Sequence, residues 1–125
     1  MNENSVRGLI GLCVKTGKAQ FGESRCLGAI RGGKGAVLLL DRAASENTKK
    51  RYRHACVYYH VKMVMMPEDL IARASGRDVM AVCMLHSELT EKLMVLLQDE
   101  ENAAEDLRDR ESDNEDKIQT GMSGV

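Results

Sequence analysis

The sequence contains no tryptophan, one phenylalanine, three tyrosines and one proline among its 125 residues. So few rings exclude an aromatic core and predict one built from Val, Leu, Ile, Met and Ala. They also leave little stacking surface of the kind that RRM-like and OB-like readers of single strands use. A single proline excludes a linker-rich or low-complexity chain. No apolar run approaches the ~18 residues a membrane-spanning helix needs. Met1 to Ser5 is polar and no apolar h-region follows, so no secretory signal is expected. A soluble, cytoplasmic protein is predicted. The four cysteines, Cys13, Cys26, Cys56 and Cys83, form no C-x-x-C pair and have no histidine at ligand spacing. They read as small buried hydrophobes in a reducing compartment, and no metal or other cofactor is expected.

What the chain does have is charge, unevenly placed. Its formal net charge is only −1, but residues 1–97 hold fifteen Lys/Arg against nine Asp/Glu, and residues 98–125 hold three against ten. A body of +6 joined to a segment of −7 fits a polyanionic partner for the body, and fits equally a body kept soluble by its charge. The organisation expected is one domain over 1–97 and an acidic, disordered tail over 98–125, which has too little apolar surface to offset ordering entropy. The alternative for the tail is a helix extended through Ala103, Ala104 and Leu107.

Alternation of period runs along the body. Ser5 is the expected cap of a first helix reaching Lys15, with Val6, Leu9, Ile10 and Cys13 on one face. Ala19 to Phe21 reads as a short strand. A second helix opens at Gly22-Glu23-Ser24, has Leu27 and Ile30 on its apolar side, and stops at Gly32-Gly33. Ala36 to Leu40 is a continuous apolar run, as in a strand covered on both faces. After a loop over 41–44, Ser45 caps a third helix with Lys49, Lys50, Arg51 and Arg53 outward and Tyr52, Cys56 and Tyr59 inward. Val61 to Met66 is a strand, and Pro67 suits the first turn of a fourth helix closed by Gly76. Val79 to Leu85 is another strand. Ser87 or Glu88 begins a last helix carrying Leu89, Leu93, Leu96 and Leu97. The fold class predicted is α/β: a three-layer α/β/α sandwich, with most neighbouring strands joined by right-handed crossovers.

Catalytic patterns are missing. His54, His60 and His86 are scattered, and no nucleophile elbow, phosphate loop or zinc signature occurs. Gly32-Gly33-Lys34-Gly35 lies between a helix and a strand, the reverse of the order a phosphate cradle needs, and reads as a tight connection. An enzyme is not expected. Three basic elements remain. Thr16 to Arg25 sets Lys18 and Arg25 around a helix N-terminus, where free N–H groups hold anions, and Gly22 allows close approach of a backbone. Arg42, Asn47, Lys49, Lys50, Arg51 and Arg53 form the second. Arg73-Ala74-Ser75-Gly76-Arg77 forms the third. All three are placed along one edge of the sandwich. Each also reads as an ordinary solvated face.

Further residues carry a resemblance. Gly11 to Lys18 (Gly-Leu-x-x-x-x-Gly-Lys), Gly22-Glu23 and Ala29 to Lys34 (Ala-Ile-Arg-x-Gly-Lys) are followed by the strand Val37 to Leu40. After these come Ala44-Ser45-Glu46-Asn47-Thr48-Lys49-Lys50 and Cys56-x-Tyr58-Tyr59. In this order they resemble the L-seven-Ae family of ribosomal proteins, in its bacterial YlxQ-type branch, over about residues 5 to 97. The resemblance implies a non-catalytic, monomeric domain with a small, mostly mixed sheet that binds structured, kink-turn-like RNA. Its partner would be an rRNA or mRNA element, with the ribosome as a candidate setting and no role for membranes. The implied site comprises Lys18, Gly22, Glu23, Ser24, Arg25, Arg31, Arg42, Asn47, Lys50, Arg73, Gly76 and Arg77. The second-helix motif of the family is Gly, any residue, Asn or Lys, Glu or Gln, two of any, then Lys. Here Gly22 matches, Ser24 and Arg25 are changed, and Gly28 stands where the family has Lys. Ala43 replaces an Asp, Ala72 replaces a Gly, and the loop Arg77-Asp78-Val79 is short. Arg25 or Arg31 is the candidate substitute for the missing cation. The alternative is a protein-interaction module that keeps the fold with a degenerate RNA site.

Overall fold

The computed structural model describes residues 2–98. The expected acidic tail, and its helical alternative, fall on residues outside these, except for Gln98, which is helical. The described order is α1 (Glu3–Lys15), β1 (Ala19–Phe21), α2 (Glu23–Arg31), β2 (Gly35–Asp41), α3 (Glu46–Tyr59), β3 (Lys62–Met66), α4 (Leu70–Ser75) and β4 (Ala81–Leu85), then a helical stretch over 88–98.

The strands form one mixed four-stranded sheet in the order β1-β4-β2-β3. Only β2 and β3 run parallel; β4 is antiparallel to both of its neighbours. The expectation that crossovers join most neighbouring strands therefore holds only for β2–α3–β3. The reason is that β4, last in sequence, enters between β1 and β2 in the opposite sense.

Alternation along β2 builds both outer layers. Successive strand residues face opposite sides, so Val37 and Leu39 join Val6, Ile10 and Cys13 of α1, Leu70 and Ile71 of α4, and Leu93 and Leu97. Leu38 and Leu40 join Cys26, Ala29 and Ile30 of α2 and Tyr52 and Cys56 of α3. β4 divides the same way, with Val82 and Met84 on one face and Ala81 and Cys83 on the other. This is the three-layer sandwich expected. All four cysteines are buried free thiols. Gly35 starts β2 where nothing larger fits: a Cβ there would lie 2.6 Å from Cys83 Sγ.

Several local expectations change. Asn2, not Ser5, caps α1, accepting from the Ser5 N–H at 3.2 Å; the amide side chain extends the helix two residues upstream. Pro67 precedes α4 in a turn closed by Leu70 N–H to Pro67 C=O, and the helix starts only at Leu70 because Asp69 takes the left-handed conformation. Tyr59, expected inward, is 39% exposed, since Tyr52 and Cys56 already fill the α3 side of the sheet. Lys49 is half-buried against an ion pair with Glu46. Asp41, read as loop, ends β2 and is 1% exposed.

Candidate nucleic-acid interface

The carboxyl ends of the parallel strands β2 and β3 set one edge of the sandwich. Asp41 organises it. Its carboxylate accepts the Ala43 N–H at 2.7 Å and the Asp69 N–H at 2.9 Å, and its own N–H donates to Met80 C=O at 2.7 Å. The buried side chain thus joins the loop after β2 to the start of α4, and the backbone of the same residue ties both to the entry to β4. Buried carboxylates are tolerated where hydrogen bonds replace water in this way.

At the same edge β1 ends at Gly22, whose φ of 91° lies in the region that favours glycine. Gly22 is the N-cap of α2 and gives no side-chain cap, whereas Asn2 and Ser45 cap α1 and α3 with their side chains. The first-turn N–H groups of α2 are therefore open to an external acceptor. Between this terminus, the start of α3 and the entry to β4 lies a groove of about 190 Å³, lined by Gly22, Glu23, Thr48, Tyr52, Val79, Met80 and Ala81. Tyr52 forms its floor, 3% exposed, and burial pushes its phenol pKa up. Met80 stands 42% exposed at the rim.

The charges around this groove are partly committed. Arg51 of α3 grips Glu23 of α2 with two hydrogen bonds, 2.5 and 3.0 Å. That guanidinium holds the Glu23 carboxyl below its ordinary range. Arg51 and Lys49 are thus internally paired, while Arg42 and Lys50 have no ion pair among the described residues. Arg77 places its guanidinium 4.4 Å from the Phe21 ring centroid, a cation–π contact that brings the end of α4 beside Gly22.

The structure gathers some of the expected site residues and separates others. Gly22, Glu23 and Ser24 share the edge with Arg42 of the β2–α3 connection, Asn47 in the first turn of α3, and Gly76 and Arg77 after α4. Arg31 and Ser24 line a shallow groove of about 370 Å³ with Glu23 and Leu27 along α2. Lys18 lies at the other end of β1, where its C=O accepts from Leu85 N–H. That places it about 13 Å from Gly22 at ordinary strand rise. Arg73 sits on α4 in the α1 layer, and Lys50 on the exposed side of α3. Arg25 faces a different groove, with Gln20, Gly28, Ala29, Gly32, Lys34 and Leu85. The three basic elements therefore do not form a single line, because α2 runs back along β1 and carries its C-terminal charges away from the edge. Sequence reasoning passed over Asp41, Thr48, Met80 and Lys34. Only the Gly-Gly-Lys-Gly spacing around Lys34 offered a signal. Among the described residues there is no group of three or more His, Cys, Asp or Glu that could hold a metal. Nor, among those residues, is any helix long and apolar enough to cross a membrane.

No protein-family model matches the chain. A curated relative, the RNA-binding protein YlxQ of Enterococcus faecium, is 37% identical over 60 residues, which cover 48% of this chain and 58% of that protein. The chain thus spans little more than half the length of that relative. Among solved structures, a Bacillus halodurans protein of unknown function superposes with a TM-score of 0.70 at 21% identity, covering 74% of this chain and 96% of the other. The Giardia lamblia 15.5kD RNA binding protein superposes with a TM-score of 0.66 at 13% identity, covering 82% and 90%.

Proposed function

We propose that this chain, which resembles the L-seven-Ae family and its YlxQ-type branch in sequence and fold, binds structured RNA without catalysing a reaction. The observation that carries the reading is the edge at Gly22. There an uncapped helix N-terminus, a positive-φ glycine and Arg77 meet beside a groove floored by Tyr52. Open N–H groups and unpaired cations suit phosphate oxygens and base edges in a shaped RNA. The scarcity of exposed rings suits a bulged or kinked duplex better than a run of single-stranded bases. The site comprises Gly22, Glu23, Ser24, Arg42, Asn47, Gly76 and Arg77 at this edge, with Lys18, Arg25, Arg31, Lys50 and Arg73 meeting flanking backbone. The RNA is a kink-turn-like element of rRNA or mRNA, and the protein acts as a cytoplasmic monomer in a translation setting. The basic body over 1–97 does the binding, and the acidic segment over 98–125 lies outside it.

The test is fluorescence anisotropy of the full chain against a labelled kink-turn hairpin and a plain duplex of equal length. Tighter binding to the hairpin, falling steeply with salt, is the expected result. Equal, weak binding to both refutes structured-RNA recognition. A second reading, a protein-interaction module, draws on Val57 and Tyr58, which stand 69% and 75% exposed on α3 away from the edge. It requires a partner that survives nuclease treatment in pull-downs.

A further inference from the structure

We infer that the groove on the β1 side of α2 is a second, separate seat for the RNA phosphate backbone, with Arg25 and Lys34 as its phosphate ligands. This rests on the RNA-binding reading and extends it beyond the Gly22 edge. The groove holds about 380 Å³ and is lined by Gln20, Arg25, Gly28, Ala29, Gly32, Lys34 and Leu85. It shares no lining residue with the two grooves that contain Glu23.

Three observations point to phosphate. The lining carries two cations and an amide but no carboxylate, and neither Arg25 nor Lys34 has an ion pair among the described residues. The cations near Glu23, by contrast, include one already neutralised by it. No aromatic ring lines the groove, while a guanidinium and an ammonium both suit phosphate oxygens.

The backbone beneath the cations is fixed. Lys34 N–H donates to Ala29 C=O at 3.0 Å, and Lys34 C=O accepts from His86 N–H at 3.3 Å. Lys34 is thereby tied to both α2 and the exit of β4. Lys18 joins the same corner through the Leu85 N–H, 2.8 Å away.

The third observation is Gly28. Glycine inside a helix costs about 1 kcal/mol relative to alanine. Gly28 has no positive φ to require it, and a Cβ there would have no atom of another element within 4 Å. No packing among the described residues calls for the missing side chain. A bare stretch of helix between Arg25 and Lys34 lets a sugar-phosphate strand come close. Arg25, one turn back, and Lys34, on the next connection, flank that bare stretch in the same groove. Arg31 faces the other groove.

The test measures affinity of the full chain for the kink-turn hairpin and the plain duplex between 50 and 300 mM KCl. Arg25→Ala and Lys34→Ala are each expected to lower the magnitude of the log Kd against log salt slope by about 1. Gly28→Glu, compared with Gly28→Ala so that helix propensity is matched, should weaken binding at low salt while far-UV circular dichroism and Tm stay within the range of the pair. Lys92→Ala, on the opposite layer, should leave slope and affinity unchanged. If the wild type binds with a salt slope that none of the groove variants alters, the groove inference is overturned and the RNA reading stands. If the wild type binds neither RNA, both fall.

Discussion

Replacing Gly28 by alanine should make the domain more stable. Gly28 is the sixth residue of the nine-residue helix α2, and its C=O accepts the Gly32 N–H at 2.9 Å, so the position is fully helical. Alanine there gains about 0.8–1 kcal/mol in helix propensity, much of it by restricting the unfolded chain. Steric offset is absent, because the new Cβ meets no atom of another element within 4 Å. For a domain of this size a gain of 1 kcal/mol raises Tm by about 4–8 °C. Urea unfolding followed by far-UV circular dichroism is the assay, with the midpoint read at constant m value. Gly35→Ala is the matched opposite. Its Cβ would sit 2.6 Å from the Cys83 Sγ, between sheet and helix, so it should lower the midpoint. A Gly28→Ala midpoint at or below wild type, with m unchanged, would show that the helix face is not free and refute the reasoning.

Other expectations follow from the same geometry. Asp41→Ala strands the Ala43 and Asp69 N–H groups that the carboxylate now accepts; it should cost about 2 kcal/mol in urea unfolding, and Asp41→Asn, keeping one acceptor oxygen, should cost less. Burial pushes the Cys56 thiol up to about 11 and Cys83 up to about 12 from an ordinary 9.0. The stability tied to them is therefore complete below pH 9 and is lost as pH rises through the folded values, because the unfolded thiols ionise first; urea midpoints from pH 8 to 10.5 read this, and the native thiols should resist Ellman's reagent at pH 8. Glu23, held low by Arg51, contributes in the opposite sense: its share is present above an ordinary 4.5 and lost as pH falls through the lowered value, so Glu23→Gln should flatten that acid limb. Arg77→Ala should weaken hairpin binding with little loss of stability, since one exposed cation–π contact is worth only about 0.5–1 kcal/mol.

Local pattern made much of this legible in advance. The Ala36 to Leu40 run read as a strand covered on both sides, and Ser45 before Glu46 marked the start of α3. What stayed hidden depends on residues far apart in sequence. Asp41 looks like the first polar residue of a loop until the Asp69 N–H, 28 positions on, is seen to need an acceptor. Arg51 looks like one more solvated cation until Glu23 arrives from another helix. Lys34 looks like part of a tight turn until α2 lays Arg25 beside it. Tyr59 shares its spacing with Tyr52 and Cys56, but nothing in that spacing shows that the sheet below is already full. The glycine at 28 was visible as an oddity, and only the open space around it gives the oddity a direction.

The position of β4 also decides when the protein can exist at all. As the chain is synthesised, β2 and β3 can pair as soon as Met66 is available. Among the described residues β1, three residues long, pairs only with β4: Ala19 waits for Met84 and Phe21 for Val82. Until Ala81 to Leu85 slots in between, Leu38 to Leu40 offer an open backbone edge, and the α2 corner has no floor. Such distant pairing is slow to form and leaves strand edges exposed in the meantime. Any growing chain that has not yet reached Leu85 therefore carries the basic segments without the edge that arranges them. The edge would be completed in one step, with the insertion of a single strand.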